Sequence, residues 1–209
     1  MRPPLPAEQF DDLEQQEEAA VVGMWTFLAT EVLFFGGLVL AYIVYRTTYP
    51  EGFAFGGRHN NVLLGSINTG VLLTSSLTMA CSGHAARNGH RRGQLFWLIG
   101  TLLLGLIFVG IKGWEYQQHI AKRLLPGAHF KSGLPPGTAL FFLLYFVTTG
   151  LHALHLLIAC GAVGVLIGLA WQGRFSPAYF APVLVTGLFW HFVDIVWVFL
   201  YPMFYLIPR

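Results

Sequence analysis

Apolar and polar residues in this chain are grouped in long blocks rather than mixed residue by residue. Five blocks are almost free of charge, at about 22–45, 62–83, 94–116, 138–171 and 181–207. A helix needs about 20 mostly apolar residues to cross a bilayer, and each block meets that length. The pattern therefore predicts five transmembrane helices. None of the blocks shows the short alternating runs of a membrane β-barrel. The expected fold class is all-α, an integral membrane bundle of five helices whose backbone polar groups are satisfied within each helix. The block over 138–171 is longer than one crossing requires, which predicts tilt or protrusion.

The stretches between blocks read as loops. Residues 50–61 hold Glu51-Gly52, Gly56-Gly57 and Asn60-Asn61, and residues 85–93 are short and basic. Residues 122–137 carry Pro126, Gly127, Gly133, Pro135 and Pro136, and residues 172–179 are short. Residues 1–21 read as an acidic, solvated tail, with an amphipathic helix on the membrane surface as the alternative. Residues 22–209 form one membrane domain, with no long internal repeat.

Composition narrows the function. Only 11% of the 209 residues are charged and 55% are hydrophobic, whereas a soluble domain carries roughly 25% charged residues. That excludes a cytosolic enzyme, a disordered chain and a nucleic-acid-binding domain, and a net charge of +2 gives a polyanion little to hold. Cys81 and Cys160 lie far apart in apolar runs, without the spacing of a disulfide scaffold or a zinc site. The N-terminus is acidic and Pro-rich, so no cleavable signal peptide is expected and the first helix serves as its own insertion signal.

Orientation is weakly encoded. One side holds Arg2, Arg87, Arg91, Arg92 and Arg174; the other holds Arg46, Arg58, Lys112, Lys122, Arg123, Lys131 and Arg209. The crowding of three arginines in one short loop favours a cytoplasmic N-terminus and an external or periplasmic C-terminus.

The acids are the informative residues. Six of the ten fall in the first eighteen positions (Glu8, Asp11, Asp12, Glu14, Glu17 and Glu18). Glu51 falls in a loop, and Glu31, Glu115 and Asp194 lie within or at the ends of apolar blocks. A charge near the bilayer centre costs several kcal/mol unless paired, hydrated or neutralised. Glu31 lies about 14 Å into the first helix at 1.5 Å per residue, close to the midplane. It reads either as a proton-relay or lipid-headgroup site, or as a carboxyl bonded to a neighbouring helix. In the second helix Asn68 is large enough to orient a buried carboxylate or a lipid ester. His152 and His155, three apart, share a helix face with Thr148. His191 and Asp194, also three apart, can bond along one face. Together these groups allow a metal or haem site in principle, but such a site needs three or more convergent ligands or an axial pocket. The alternative is neutral imidazoles bonded across the bundle. Trp190 and Trp197 are a heptad apart and predict a flat surface for lipid or a partner helix, while Trp171, Tyr201 and Tyr205 suit interfacial aromatic belts. No nucleotide loop, nucleophile elbow or zinc-protease motif is present, nor the broken-helix repeats of a transporter.

Several of these residues resemble a known family, cytochrome c oxidase subunit III. The run Gly23-Met24-Trp25 followed by Ala29-Thr30-Glu31-Val32-Leu33-Phe34-Phe35 is similar to that family's core-opening helix. So are Asn68-Thr69 with Leu72-Leu73-Thr74-Ser75-Ser76, Lys112-Gly113-Trp114-Glu115-Tyr116, and Thr149-Gly150-Leu151-His152-Ala153-Leu154-His155. The most specific stretch is Trp190-His191-Phe192-Val193-Asp194-Ile195-Val196-Trp197. The resemblance covers about residues 22–207 in order. Longer members carry two further helices before this core, so the chain resembles the five-helix bacterial form, with those two helices expected on another subunit or absent.

The resemblance implies a subunit of a proton-pumping haem–copper oxidase in aerobic respiration. It implies no cofactor in this chain, with haem and copper in partner subunits I and II, and a location in the bacterial plasma membrane. It implies packing on subunit I, bound phospholipids, support of proton uptake and of the catalytic centre's stability, and possible contact with other respiratory complexes. It also implies a cytoplasmic N-terminus. Quinol oxidases and nitric oxide reductase-associated relatives share the form, so the donor stays open between cytochrome c and quinol. The residues expected to bind lipid or to build a buried polar network are Glu31, Asn68, Glu115, His152, His155, Arg174, Trp190, His191 and Asp194. Readings of another class are a haem- or metal-binding membrane protein and an independent proton channel through Glu31.

Overall fold

The computed structural model describes residues 8–127, 130–177 and 179–207. Arg2 and Arg209, counted for orientation, and the first seven residues of the acidic tail lie outside the described residues. The described chain contains α1 (Leu13–Thr48), α2 (Pro50–His59), α3 (Val62–Arg87), α4 (Arg91–Ala121), α5 (Thr138–Trp171) and α6 (Ala181–Tyr201), the last continuing as a π-helical turn over Pro202–Leu206. Five of these, α1 and α3 to α6 with its π turn, are long and apolar enough to cross a membrane.

The helices follow the hydrophobic blocks, with corrections at the ends. The first helix begins at Leu13, not near residue 22. The Asp12 carboxylate accepts from the Gln15 amide N–H at 2.8 Å, and the Gln15 side chain accepts in return from the Asp11 N–H at 2.8 Å. This reciprocal cap satisfies otherwise free donors and starts the helix inside the acidic segment. At 36 residues, α1 is about 54 Å long, well beyond the roughly 30 Å hydrocarbon core. The third and fourth helices also run past their expected ends, to Arg87 and to Ala121. The fourth predicted span, 138–171, is met at both ends.

Residues 50–59 correct a second expectation, because they form a helix where a loop is predicted. Pro50 opens it, at the position where a missing N–H costs nothing. The glycines that suggest a loop are contact points. A Cβ on Gly52 would lie 2.2 Å from the Pro136 carbonyl oxygen, and one on Gly56 would lie 2.1 Å from the Phe141 ring. Helix α2 thus lies directly on the start of α5.

The long helices alternate in direction. Phe27 meets Phe189, and Tyr42 donates to the Met203 carbonyl, so α1 runs parallel to α6. Glu31 meets His155, and Tyr49 at the end of α1 packs on Gly137 at the start of α5, so α1 runs against α5. Helix α6 is central and contacts α1, α3 and α5. Helix α1 is peripheral: its buried residues are Leu28, Phe35 and Tyr42, a single stripe at heptad spacing flanked by the partly buried Met24, Leu38, Val39 and Ala41. Pro202 cannot donate to the preceding turn, and the chain widens there into the π turn, closed by Ile207 N–H on the Pro202 carbonyl at 2.9 Å. Arg46 holds the Ile207 carbonyl at 3.1 Å and Asn60 holds the Phe204 carbonyl at 3.0 Å. At the other end, Arg91 caps α5 by donating to the carbonyls of Ala170 and Trp171.

Candidate functional site: a polar interior within the bundle

Polar side chains occupy two levels of the interior. The level nearer the C-terminus centres on Lys112, which is 3% exposed. Its ammonium donates to Glu115 Oε2 at 2.8 Å, to Tyr145 Oη at 3.0 Å and to Tyr205 Oη at 2.6 Å. All three of its donors are used. The Tyr205 hydroxyl donates onward to Glu115 at 2.6 and 2.8 Å. The rings of Tyr145, Trp197 and Tyr205 lie 4.8, 4.9 and 5.1 Å from the ammonium, adding cation–π attraction away from water. Glu115 is 2% exposed. The pair is therefore buried and matched, the condition under which two charges are tolerated inside a bundle. One helical turn on, His119 Nδ1 bonds the Glu115 carbonyl at 2.9 Å and Nε2 bonds Asn60 Oδ1 at 3.0 Å. Tyr116 bonds Thr149 nearby.

The second level lies near the middle. Glu31 Oε2 is 3.1 Å from His155 Nε2, with both side chains mostly buried. His155 Nδ1 is 2.8 Å from the Leu151 carbonyl. Across α6, His191 Nδ1 bonds Ser76 at 2.7 Å, Trp190 Nε1 donates to Ser75 at 3.1 Å, and Trp197 Nε1 donates to Thr69 at 3.0 Å.

The residues singled out in the sequence are thus divided among several small groups. His152 and His155 diverge: His155 reaches α1, whereas His152 lies between Phe108 and Trp197, fully buried, with no partner on either nitrogen. His191 and Asp194 do not bond each other directly: His191 bonds Ser76, and the Ser76 hydroxyl also lies beside the Asp194 carboxyl, which is 4% exposed. Asn68 is buried and donates to the Phe108 carbonyl at 3.4 Å, touching no carboxylate. Arg174 is exposed in the turn after α5. Of the two uses expected for Trp190 and Trp197, the structure shows the partner helix and not lipid: both indoles are fully buried, held by hydroxyls of α3. Tyr205 is corrected from the interfacial belt to the ion-pair cage, while Trp171 is 69% exposed, as a belt residue should be. Among the described residues, no three His, Cys, Asp or Glu side chains converge as metal ligands.

Sequence reasoning missed Tyr145, Tyr205, His119 and Asn60 as partners, and used Lys112 only in the count of basic residues and in the family-like stretch. One signal was present: a lysine inside an apolar block, three residues before a glutamate, demands a buried partner.

Beside the central level a groove of about 810 Å³ opens between α1 and α6. Leu28, Val32 and Phe35 line one wall, and His191, Ile195 and Phe199 the other. Phe35 also packs on the His155 ring at 5.3 Å, so it separates the groove from the Glu31–His155 pair.

Fold and site together define a multi-pass, all-helical membrane protein with a satisfied ionic cage and an apolar side groove. The family model for cytochrome c oxidase subunit III matches residues 14–208. The chain belongs to that family. It is 31% identical over 198 residues to quinol oxidase subunit 3 of Bacillus spizizenii, covering 93% of this chain and 91% of the relative. It is 31% identical over 188 residues to cytochrome c oxidase subunit 3 of Corynebacterium diphtheriae, covering 89% and 87%. It is 28% identical over 203 residues to cytochrome c oxidase subunit 3 of Thermostichus vulcanus, covering 95% and 92%. Its relatives thus include subunits of both cytochrome c and quinol oxidases, and membership implies association with other oxidase subunits.

Proposed function

We propose that this chain is the non-catalytic third subunit of a proton-pumping haem–copper terminal oxidase in a bacterial plasma membrane. In this reading it packs on subunit I, holds phospholipid in the α1–α6 groove, and supports proton uptake and the lifetime of the catalytic centre. Its N-terminus is cytoplasmic, and haem and copper reside in subunits I and II. The observation that carries the reading is the placement of the Glu31–His155 pair behind Phe35, at the edge of an apolar groove on the outside of the bundle. An acyl chain suits that groove, and the pair supplies a protonatable group next to it. A cytochrome c donor is the first reading; a quinol donor is the second, favoured by relatives named for quinol oxidases.

Two measurements test this. A tagged chain drawn gently from native membranes brings haem- and copper-bearing subunits with it and, once stripped, carries neither iron nor copper; a stripped chain with a haem spectrum overturns the reading. In the assembled oxidase, Glu31→Ala leaves haem content intact but lowers retained lipid or shortens the turnover lifetime. Unchanged lipid and lifetime remove Glu31 from the function.

A further inference from the structure

A smaller opening of about 230 Å³ lies between α3 and α6 at the arginine-rich end of the bundle. His84, Arg87 and Phe180 form its mouth, His191 lies deeper, and Leu184 and Leu188 supply apolar wall. The Arg87 guanidinium lies over the Phe180 ring at 5.2 Å from its centre. Stacking holds the cation in place while leaving its edge free for hydrogen bonds.

No carboxylate answers this charge. Among the described residues the only ion pairs are Lys112–Glu115 and Glu31–His155. The sequence has no acid between Glu51 and Glu115, nor between Glu115 and Asp194, so neither loop at this end supplies one, and the acids that open α1 at the same end, Glu14, Glu17 and Glu18, make no ion pair with Arg87. His84, bonded to Asn88 at 2.9 Å, adds a polar neighbour. A guanidinium fork fits the oxygens of a phosphate. A soluble anion would have no use for the leucines below it. A phospholipid presents phosphate and then acyl chain along the membrane normal, the order in which Arg87 at the helix end and then Leu184 and Leu188 occur.

We propose that the α3–α6 opening binds an anionic phospholipid, with its phosphate on Arg87 and an acyl chain along Leu184 and Leu188. The site meets the α1–α6 groove only at Leu188 and His191 and does not rest on lipid occupying that groove.

The test uses the assembled oxidase in phosphatidylcholine nanodiscs containing spin-labelled phosphatidylglycerol, reading the immobilised fraction of label. The wild type prefers phosphatidylglycerol over spin-labelled phosphatidylcholine. Arg87→Ala lowers that preference about fivefold, matching the roughly 1 kcal/mol of one basic residue at a membrane surface. Gly83→Leu does the same without changing charge: Gly83 lines the opening, and a Cβ there meets nothing within 4 Å, so the leucine folds and fills the space. Glu31→Ala, which probes the groove, leaves this preference untouched. Unchanged preference in both Arg87→Ala and Gly83→Leu overturns the proposal. So does full displacement of the label by inorganic phosphate, which would make this a soluble-anion site, or a partner subunit's carboxylate on Arg87 in a structure of the complex.

Discussion

Glu31 and His155 face each other across α1 and α5, carboxyl oxygen to Nε2 at 3.1 Å. The other ring nitrogen, Nδ1, is 2.8 Å from the Leu151 carbonyl. A carbonyl only accepts, so Nδ1 carries a hydrogen. One further proton must lie between Nε2 and the carboxyl: on the acid, donated to a neutral ring, or on the ring, donated to a carboxylate. Either form is neutral overall, which is how an acid near the midplane is tolerated.

That geometry separates bonding from proton-holding. Glu31→Gln places an amide N–H where the acid proton was, so the tie to Nε2 survives; Glu31→Ala loses it. Thermal unfolding of the assembled complex should show Gln close to wild type and Ala destabilised by about 0.6–1 kcal/mol, the usual worth of an interhelical hydrogen bond in a membrane. If proton exchange at this pair matters to turnover, Gln shortens enzyme lifetime as much as Ala despite its normal stability.

The Lys112 cage predicts strong coupling. Glu115→Gln leaves an ammonium buried with two tyrosine hydroxyls but no counter-charge, and a broken buried pair costs about 3–5 kcal/mol. Lys112→Met with Glu115 intact strands the carboxylate at a similar cost. The double variant Lys112→Met/Glu115→Gln removes both charges and should recover most of the loss. A double-mutant cycle read from complex yield and melting measures this, and additive losses would show that the pair is not coupled. Because both groups are buried, the coupling should barely change with added salt.

The sequence shows the long helices plainly, because 20-residue apolar runs have one stable form in lipid. It hides α2: Gly52, Gly56 and Gly57 read as loop because local propensity records their flexibility, not the close approach to Pro136 and Phe141 that uses it. It hides the start of α1, because six acids look solvated until Asp12 and Gln15 are seen as a cap. The site divides the same way. Lys112 and Glu115 are neighbours by helical spacing and so are legible as a pair, whereas Tyr145 and Tyr205 come from helices distant in sequence. His152 and His155 show where spacing misleads. Residues three apart lie on one broad face, yet the angle between them is enough to send one ring to α1 and the other into the core.

His152 itself yields a prediction against intuition. A fully buried imidazole with neither nitrogen bonded bears the desolvation cost of an unsatisfied polar group, roughly 1–3 kcal/mol. His152→Leu fills similar space between Phe108 and Trp197 without that cost. The complex should melt at the same temperature or higher, with normal haem content. A clear loss of stability would reveal a bonded partner for the ring.

The docking of α2 can be tested through one methyl group. A Cβ on Gly56 would lie 2.1 Å from the Phe141 ring, and that ring has no room to retreat: it is fully buried against Phe53, Phe142 and Phe204 at 5.4, 5.3 and 5.9 Å. Gly56→Ala must therefore lift α2 or distort the aromatic cluster, an overpacking cost of about 1–3 kcal/mol. Lifting α2 also moves Asn60, whose side chain holds both the Phe204 carbonyl and His119, so the π turn loosens with it. The expected result is a lower melting temperature and faster proteolysis within residues 50–61. Gly70→Ala is the control: it lies in α3, where a Cβ meets nothing within 4 Å, and alanine for glycine in a helix stabilises by up to about 1 kcal/mol. If Gly56→Ala and Gly70→Ala behave alike, α2 is not held by this contact, and the anchoring of the C-terminal turn must come from Tyr42 and Arg46 of α1 instead.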